Sequence, residues 1–347
     1  MRRIIFRSPT TEVIVSNYGK TALVLGATGG VGGETAAALL ARGWTVRGLV
    51  RDHVSAATSW RGRRGAPEWR RGDAMLRDDV VRAARDVDVI VHAVNPPGYR
   101  RWDELVLPMI GNTIAAAKAA GGARVVLPGT IYNYDPAATP VIDADTPQQP
   151  RTRKGAIRVA LERRLEALSD EVPSLIVRAG DFFGPHSRAS WFSQAMVTPG
   201  KPPARIVHPG RGVGHAWAYL PDLAEAVAGL LDGEDRLARF ERVQFGGFWD
   251  STGAEMTAAI RRAVGRDVPE RAFPWWLMRL LAPFGGFPRE ALEIEGFWRS
   301  PVRLDNRRLV QLLGREPRTP VDQAVATTLA GLGCLPERAA RLRPQAA

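Results

Sequence analysis

The sequence predicts an α/β fold: a doubly wound parallel sheet with helices on both faces, followed by a smaller, mixed C-terminal lobe. Three observations predict it. The apolar run Thr21-Ala22-Leu23-Val24-Leu25 passes straight into a glycine-rich turn and then into a helical pattern. Short apolar runs of strand length alternate with helical patterns as far as Arg178, and such alternation lays strands in parallel beneath covering helices. After Gly180 the alternation loosens into a stretch rich in Gly, Pro, Trp and His over 181–217, which begins a second lobe.

The elements follow in order. The first strand, Thr21–Leu25, carries no charge and reads as buried. A helix from Val31 to about Arg42 contains Ala36-Ala37-Ala38-Leu39-Leu40, and Gly43 ends it. Trp44–Val50 is the second strand and Glu68–Gly72 a short third. Asp79–Arg85 fits a helix, and Val87–Val94 a buried fourth strand. Glu104–Ala120 is helical and stops at Gly121-Gly122; Ala123–Leu127 is the fifth strand. Arg153–Ser169 is a charged amphipathic helix leading to the sixth strand, Ser174–Arg178. Beyond it the sequence gives a helix from Pro221 to Val227, a strand near Arg242–Phe245 and a helix at Ala254–Val264. Pro274–Leu281 is a short aromatic and apolar stretch, read first as a core helix and otherwise as a pocket wall or an oligomer contact, which leaves a homodimer open.

With 347 residues the chain is long enough for two lobes sharing a cleft. The expected organisation is a loose extension over 1–18, a dinucleotide-binding domain over 19–180, a substrate lobe over 181–335 interleaved with it, and a tail over 336–347. No apolar run reaches the roughly 18 residues that a membrane span needs. The single cysteine, Cys334, excludes an internal disulfide, and with no signal-peptide pattern the expected compartment is the cytoplasm. The net charge of +12 is mostly arginine spread along the chain. Its densest run, Arg61-Gly62-Arg63-Arg64, reads as a solvated loop, so a nucleic-acid partner is disfavoured and a small-molecule substrate is expected. His208 and His215 lack metal-ligand spacing, and no metal is expected.

The glycine turn indicates the chemistry. Gly26, Gly29 and Gly32 are spaced G-x-x-G-x-x-G, with Thr28, Gly30 and Val31 between them. A backbone without side chains lets a pyrophosphate approach, and the helix that follows aims its amides and positive dipole end at it. The residue after the second strand faces the cofactor ribose. Arg51 stands there, 19 positions beyond Gly32, and a guanidinium suits a 2′-phosphate. NADP is therefore the expected cofactor, while the neighbouring Asp52 keeps NAD open.

At this point the chain resembles the short-chain dehydrogenase/reductase superfamily in its extended or atypical branch, the NAD-dependent epimerase/dehydratase type, with its Rossmann-type cofactor domain. The resemblance rests on Gly26–Gly32, on Gly72-Asp73, on His92-Ala93-Val94-Asn95, on Asn112, on Arg178–Pro185, on Trp217–Ala224 and on the end from Arg303 to Pro317. It implies that Asp73 contacts the adenine, that Ala93, Val94 and Asn95 line the nicotinamide side, and that Asn112 helps organise the active site. It also implies an oxidoreductase, epimerase or dehydratase acting on a small carbonyl or sugar-like compound.

The catalytic residues depart from that family. Its Tyr-x-x-x-Lys pair falls where this chain has Lys154 and Arg158, aligned by Glu162. Its serine after the fifth strand falls at Pro128, with Thr130 nearby. Arg158 offers donors to a ribose but transfers no proton near neutral pH. Lys154, flanked by Arg153 and Arg158, is the candidate general acid or electrostatic clamp; the bland alternative is the start of a basic surface helix. Tyr132 or Tyr134 offers a phenol from another backbone position. Asp181 and His186, in a loop at a strand end, read as a capping aspartate and a solvated histidine. The proton donor is thus non-standard. The loss of the pair also favours a second reading, a non-catalytic NAD(P) sensor similar to nitrogen-metabolite-repressor-like proteins, and the basic charge a third, an RNA-associated relative.

Overall fold

A computed structural model describes residues 19–63, 65–96 and 101–335. The expected extension over 1–18 and tail over 336–347 lie outside the described residues. In chain order the first half gives β1 (Thr21–Leu25), α1 (Gly30–Ala41), β2 (Thr45–Val50), α2 (His53–Ser59), β3 (Glu68–Arg71), α3 (Arg77–Ala83), β4 (Val89–His92), α4 (Trp102–Ala119), β5 (Arg124–Gly129), β6 (Val141–Ile142), α5 (Arg153–Ala167) and β7 (Ser174–Arg178). The second half gives β8 (Asp181–Phe183), β9 (Ile206–His208), β10 (His215–Tyr219), α6 (Leu220–Asp232), β11 (Phe240–Gln244), β12 (Phe248–Asp250), α7 (Glu255–Val264), β13 (Glu270–Ala272), α8 (Trp275–Leu281), α9 (Gly286–Leu292), β14 (Arg303–Leu304), α10 (Arg307–Leu313) and α11 (Val321–Gly331).

The main sheet runs β11-β7-β5-β4-β1-β2-β3, and every pairing in it is parallel. The middles of its central strands, such as Val89–Val91, Val125–Leu127 and Leu175–Val177, are apolar because helices cover both faces. One face packs Ala36 and Leu39 of α1 against Leu223, Val227 and Leu231 of α6. The other packs Val80 of α3, Ile110 and Ala117 of α4, and Leu161 and Leu165 of α5. Burying each such Leu or Val side chain contributes about 1.5–3 kcal/mol. β11 comes from the second half of the chain, so the two halves interleave through the sheet itself.

The lobe has its own core around Phe183, Phe192, Trp217, Ile260 and Trp298. A small sheet, β12-β10-β8, joins it to the main domain, since β8 begins three residues after β7 ends. Two elements correct the sequence reading. α2 gave no apolar periodicity; it forms because Asp52 caps it, accepting from the amides of Val54 (2.9 Å) and Ser55 (3.4 Å). α8 is not a core helix: Met278 is buried, but Trp276 and Leu280 face outward.

Candidate functional site

The strand order reverses between β1 and β4, and ligands of such sheets bind in the crevice beyond the strand ends at that place. The turn after β1 is shaped for close approach. Gly26 has φ +87°, and a Cβ there would lie 2.6 Å from the Ala93 carbonyl oxygen at the end of β4. A Cβ on Gly32 would lie 2.3 Å from the Gly26 carbonyl oxygen. Thr28 and Gly29 are exposed, Gly30 is half-buried against Ser187 and Leu220, and Gly29 caps α1 without a side-chain hydrogen bond. The first amides of α1 therefore have no side-chain acceptor at the cap.

The groove beside the end of β2 carries cations. The Asp52 carboxylate is committed to the α2 cap, while Arg51 is exposed at the end of β2. Arg63 is the residue that sequence reasoning missed. Expected in a solvated loop, its guanidinium instead lies 4.6 Å over the Trp60 ring, with Glu34 at 3.7 Å, beside Gly33 in the first turn of α1. Its Nε and Nη1 are buried with no hydrogen-bond partner among the described residues. Burial pulls its pKa below the usual arginine value, with Glu34 pulling the other way. Unsatisfied donors on a desolvated cation beside a helix start can take an anionic group. Asp73 follows β3, where its Oδ1 accepts from the Met75 amide at 2.9 Å.

Past the turn lies a pocket of about 850 Å³, part of it open to solvent. Val31 of α1 lines it together with His92, Ala93, Val94 and Asn95 at the end of β4, Pro128 of β5 with Thr130, Ile131 and Tyr132 just after it, and Arg158 of α5. Trp102, Asp181, Phe182, Ser190 and Trp191 complete the wall. Arg158 donates from Nη2 to Asn95 Oδ1 at 3.2 Å and sits 5.0 Å over the Trp102 ring. Tyr132 stands on a single helical turn, Ile131–Asn133, whose start is fixed by Thr130 Oγ1 accepting from the Tyr132 amide. Its ring packs 5.3 Å from that of Phe297.

Two histidines set the electrostatics. His92 is buried with Nδ1 2.8 Å from Thr113 Oγ1, and burial, then the Arg158 charge, pushes its pKa down to about 3. It is a neutral wall at physiological pH. His215 is buried and stacked on Trp298 at 3.9 Å, with Nε2 2.7 Å from Asp181 Oδ2. Asp181 thus presents to the pocket a carboxyl backed by an imidazole, not a helix cap. The two residues lie 34 positions apart on β8 and β10, and no local spacing signals the pair.

Four sequence expectations are corrected. Lys154 does not face the pocket: it is fully buried, and its ammonium is held by Glu290 and Glu293, the first in α9 and the second just beyond it. Its charged neighbours are those carboxylates, and Arg153 is drawn off to Asp103 at 3.3 Å. Tyr134 is buried beneath the Arg178 guanidinium (5.1 Å), and burial raises its pKa. Asn112 donates to the Ala74 carbonyl oxygen at 2.9 Å, whereas its neighbour Thr113 reaches the site through His92. His186 is not merely solvated, because its Nδ1 meets Glu34 of α1.

A sheet with a glycine-rich turn at its switch point and a cation-lined groove beside a roofed pocket defines a dinucleotide-binding protein of the Rossmann type. A profile of the NAD dependent epimerase/dehydratase family matches residues 22–246, and the chain belongs to that family, whose enzymes use a nicotinamide cofactor. It is 32% identical over 182 residues to a Streptomyces 3-diazoavenalumate denitrifying reductase. That match spans 47% of this chain and only 56% of the relative. UDP-glucose 4-epimerase from Bifidobacterium longum, solved with NAD+ and UDP, superposes with a TM-score of 0.68 at 15% identity, covering 91% of this chain and 98% of that one. ADP-L-glycero-D-manno-heptose-6-epimerase from Helicobacter pylori gives 0.67 at 13% identity, covering 93% and 99%. At these identities the structures share the fold.

Proposed function

We propose that the chain is an NADP-dependent oxidoreductase that reduces a small, flat carbonyl-type electrophile in the Arg158–Tyr132 pocket. The observation that carries this reading is the convergence of Arg158, Tyr132 and Asp181 with Ala93-Val94-Asn95 in one cavity at the strand ends. Reduced NADP, when bound, would supply the hydride and leave as NADP+. Gly26–Gly32 and the start of α1 hold its pyrophosphate, and Arg51 with Arg63 holds its 2′-phosphate. Arg158, steadied by Asn95 and Trp102, holds the nicotinamide ribose or an anionic group of the substrate. Tyr132 donates the proton to the substrate oxygen in place of the family tyrosine, and the aromatic wall of Trp102, Phe182 and Trp191 favours a planar substrate over a sugar. The cytoplasm is the compartment in which reduced NADP is at hand.

The sequestering of Lys154 favours a second reading of the same pocket. The Streptomyces relative is named for a denitrifying reduction of a diazo compound. Replacing a diazonium group by hydrogen releases dinitrogen as the leaving group and creates no alkoxide, so a site without a tyrosine–lysine pair suffices. One comparison separates the two. With NADPH and a panel of aromatic aldehydes, ketones and diazonium acids, Tyr132→Phe lowers kcat by about a hundredfold on carbonyls and leaves diazonium turnover unchanged. No consumption of NADPH with any of these acceptors contradicts both readings and favours a non-catalytic sensor.

A further inference from the structure

Among the described residues, exposed large apolar side chains gather on the outer face of the α8–α9 segment. Trp276 is 66% exposed, Leu280 62% and Phe284 87%, and Leu281 and Phe287 stand beside them. Trp276 and Leu280 are spaced at i and i+4 on one face of α8, and Phe284 is exposed on the tight 3-10 turn, Ala282–Phe284, that follows it. A contiguous apolar face on a folded protein marks a contact surface.

The charges around it indicate what covers it. The segment from 270 to 299 carries four arginines, Arg271, Arg279, Arg289 and Arg299, and all are exposed. Its four carboxylates are turned inward. Glu290 and Glu293 hold Lys154, Glu295 holds Arg279 and Arg299, and Glu270 faces Arg211 and Arg261. The outward face is therefore aromatic and aliphatic side chains beside exposed arginines, of which Arg279 and Arg299 share the single carboxylate of Glu295 and so keep a net positive charge. Two such faces brought together repel through these arginines. An anionic lipid surface takes the apolar side chains among its acyl chains and the arginines among its headgroups.

We propose that this face docks the protein on anionic membrane surfaces as a peripheral protein. Among the described residues no helix is long and apolar enough to cross a membrane, so the contact is interfacial. The inner side of the same segment roofs the pocket, because Trp275 and Phe287 pack on Trp191 at 5.8 and 6.4 Å. Docking therefore sets the roof of the cavity against the lipid, a geometry suited to a substrate that partitions into membranes.

The test is flotation of the full-length protein with phosphatidylglycerol-containing and with pure phosphatidylcholine vesicles. A Trp276→Ser/Leu280→Ser/Phe284→Ser variant is run in parallel; these side chains are exposed, so the fold and NADPH affinity are retained. The proposal expects flotation with the anionic vesicles, weakened by salt and reduced about tenfold or more in the variant. Equal flotation of variant and wild type overturns it. So does a wild-type dimer that the substitutions dissociate, with no vesicle binding, because a second copy then covers the face.

Discussion

Lys154 on α5 and Glu290 on α9 form a buried ion pair that ties the sheet domain to the lobe, 136 residues apart in sequence. Glu293 completes the clamp on the same ammonium and also accepts from the Lys154 amide at 2.7 Å. The residue that alignment sets in the place of a catalytic tyrosine is a structural fastener. Lys154→Met leaves two carboxylates near a buried apolar group with no counter-charge, which costs about 3–5 kcal/mol. A urea midpoint that falls accordingly, with NADPH affinity retained, is the expected outcome. A catalytic lysine would instead lose kcat at unchanged stability.

Arg63 is the residue through which NADP preference is tested independently of the β2 end. Its buried, unpartnered donors are expected to take a phosphate, so Arg63→Ala weakens NADPH binding by about tenfold to a hundredfold and leaves NADH binding unchanged. Calorimetric titration with both coenzymes checks it. Equal losses for both would assign Arg63 to packing against Trp60 alone.

Gly26→Ala sets a methyl against the Ala93 carbonyl at a backbone φ of +87°. Both the clash and the left-handed conformation oppose it, and the turn shifts away from β4. Loss of nicotinamide binding with the sheet still folded by circular dichroism is the expected result.

His92 gives the site a pH signature. Its folded pKa is about 3 against an ordinary 6.5, so between those values the unfolded chain binds a proton that the folded chain does not. Its contribution to stability is intact above 6.5 and lost as pH falls toward 3, with a slope of up to about 1.4 kcal/mol per pH unit. Denaturation midpoints from pH 7 to pH 4 check it, and His92→Asn should flatten that part of the slope.

The sheet was legible because its signals are local. Uncharged strand runs such as Thr21–Leu25 announce burial on both faces, and the Gly26–Gly32 spacing announces a turn that must admit another backbone. The place of Arg51 at the end of the second strand was legible for the same reason, since the residue follows that strand directly. What was not legible depends on contacts between distant segments. Nothing near Lys154 foretells two glutamates at 290 and 293, and nothing near Asp181 foretells His215. The apolar stretch at 274–281 misled because composition alone does not tell an inward from an outward face, and the exposed Trp276 shares a short helix with the buried Met278.

The central claim, that the turn and the arginines beside it grip NADP, is tested most directly by titrating the protein with NADPH and NADH and following nicotinamide fluorescence. The account predicts saturable binding with NADPH preferred, and loss of that preference in Arg51→Ala. Absence of binding to either coenzyme at millimolar concentration would contradict it.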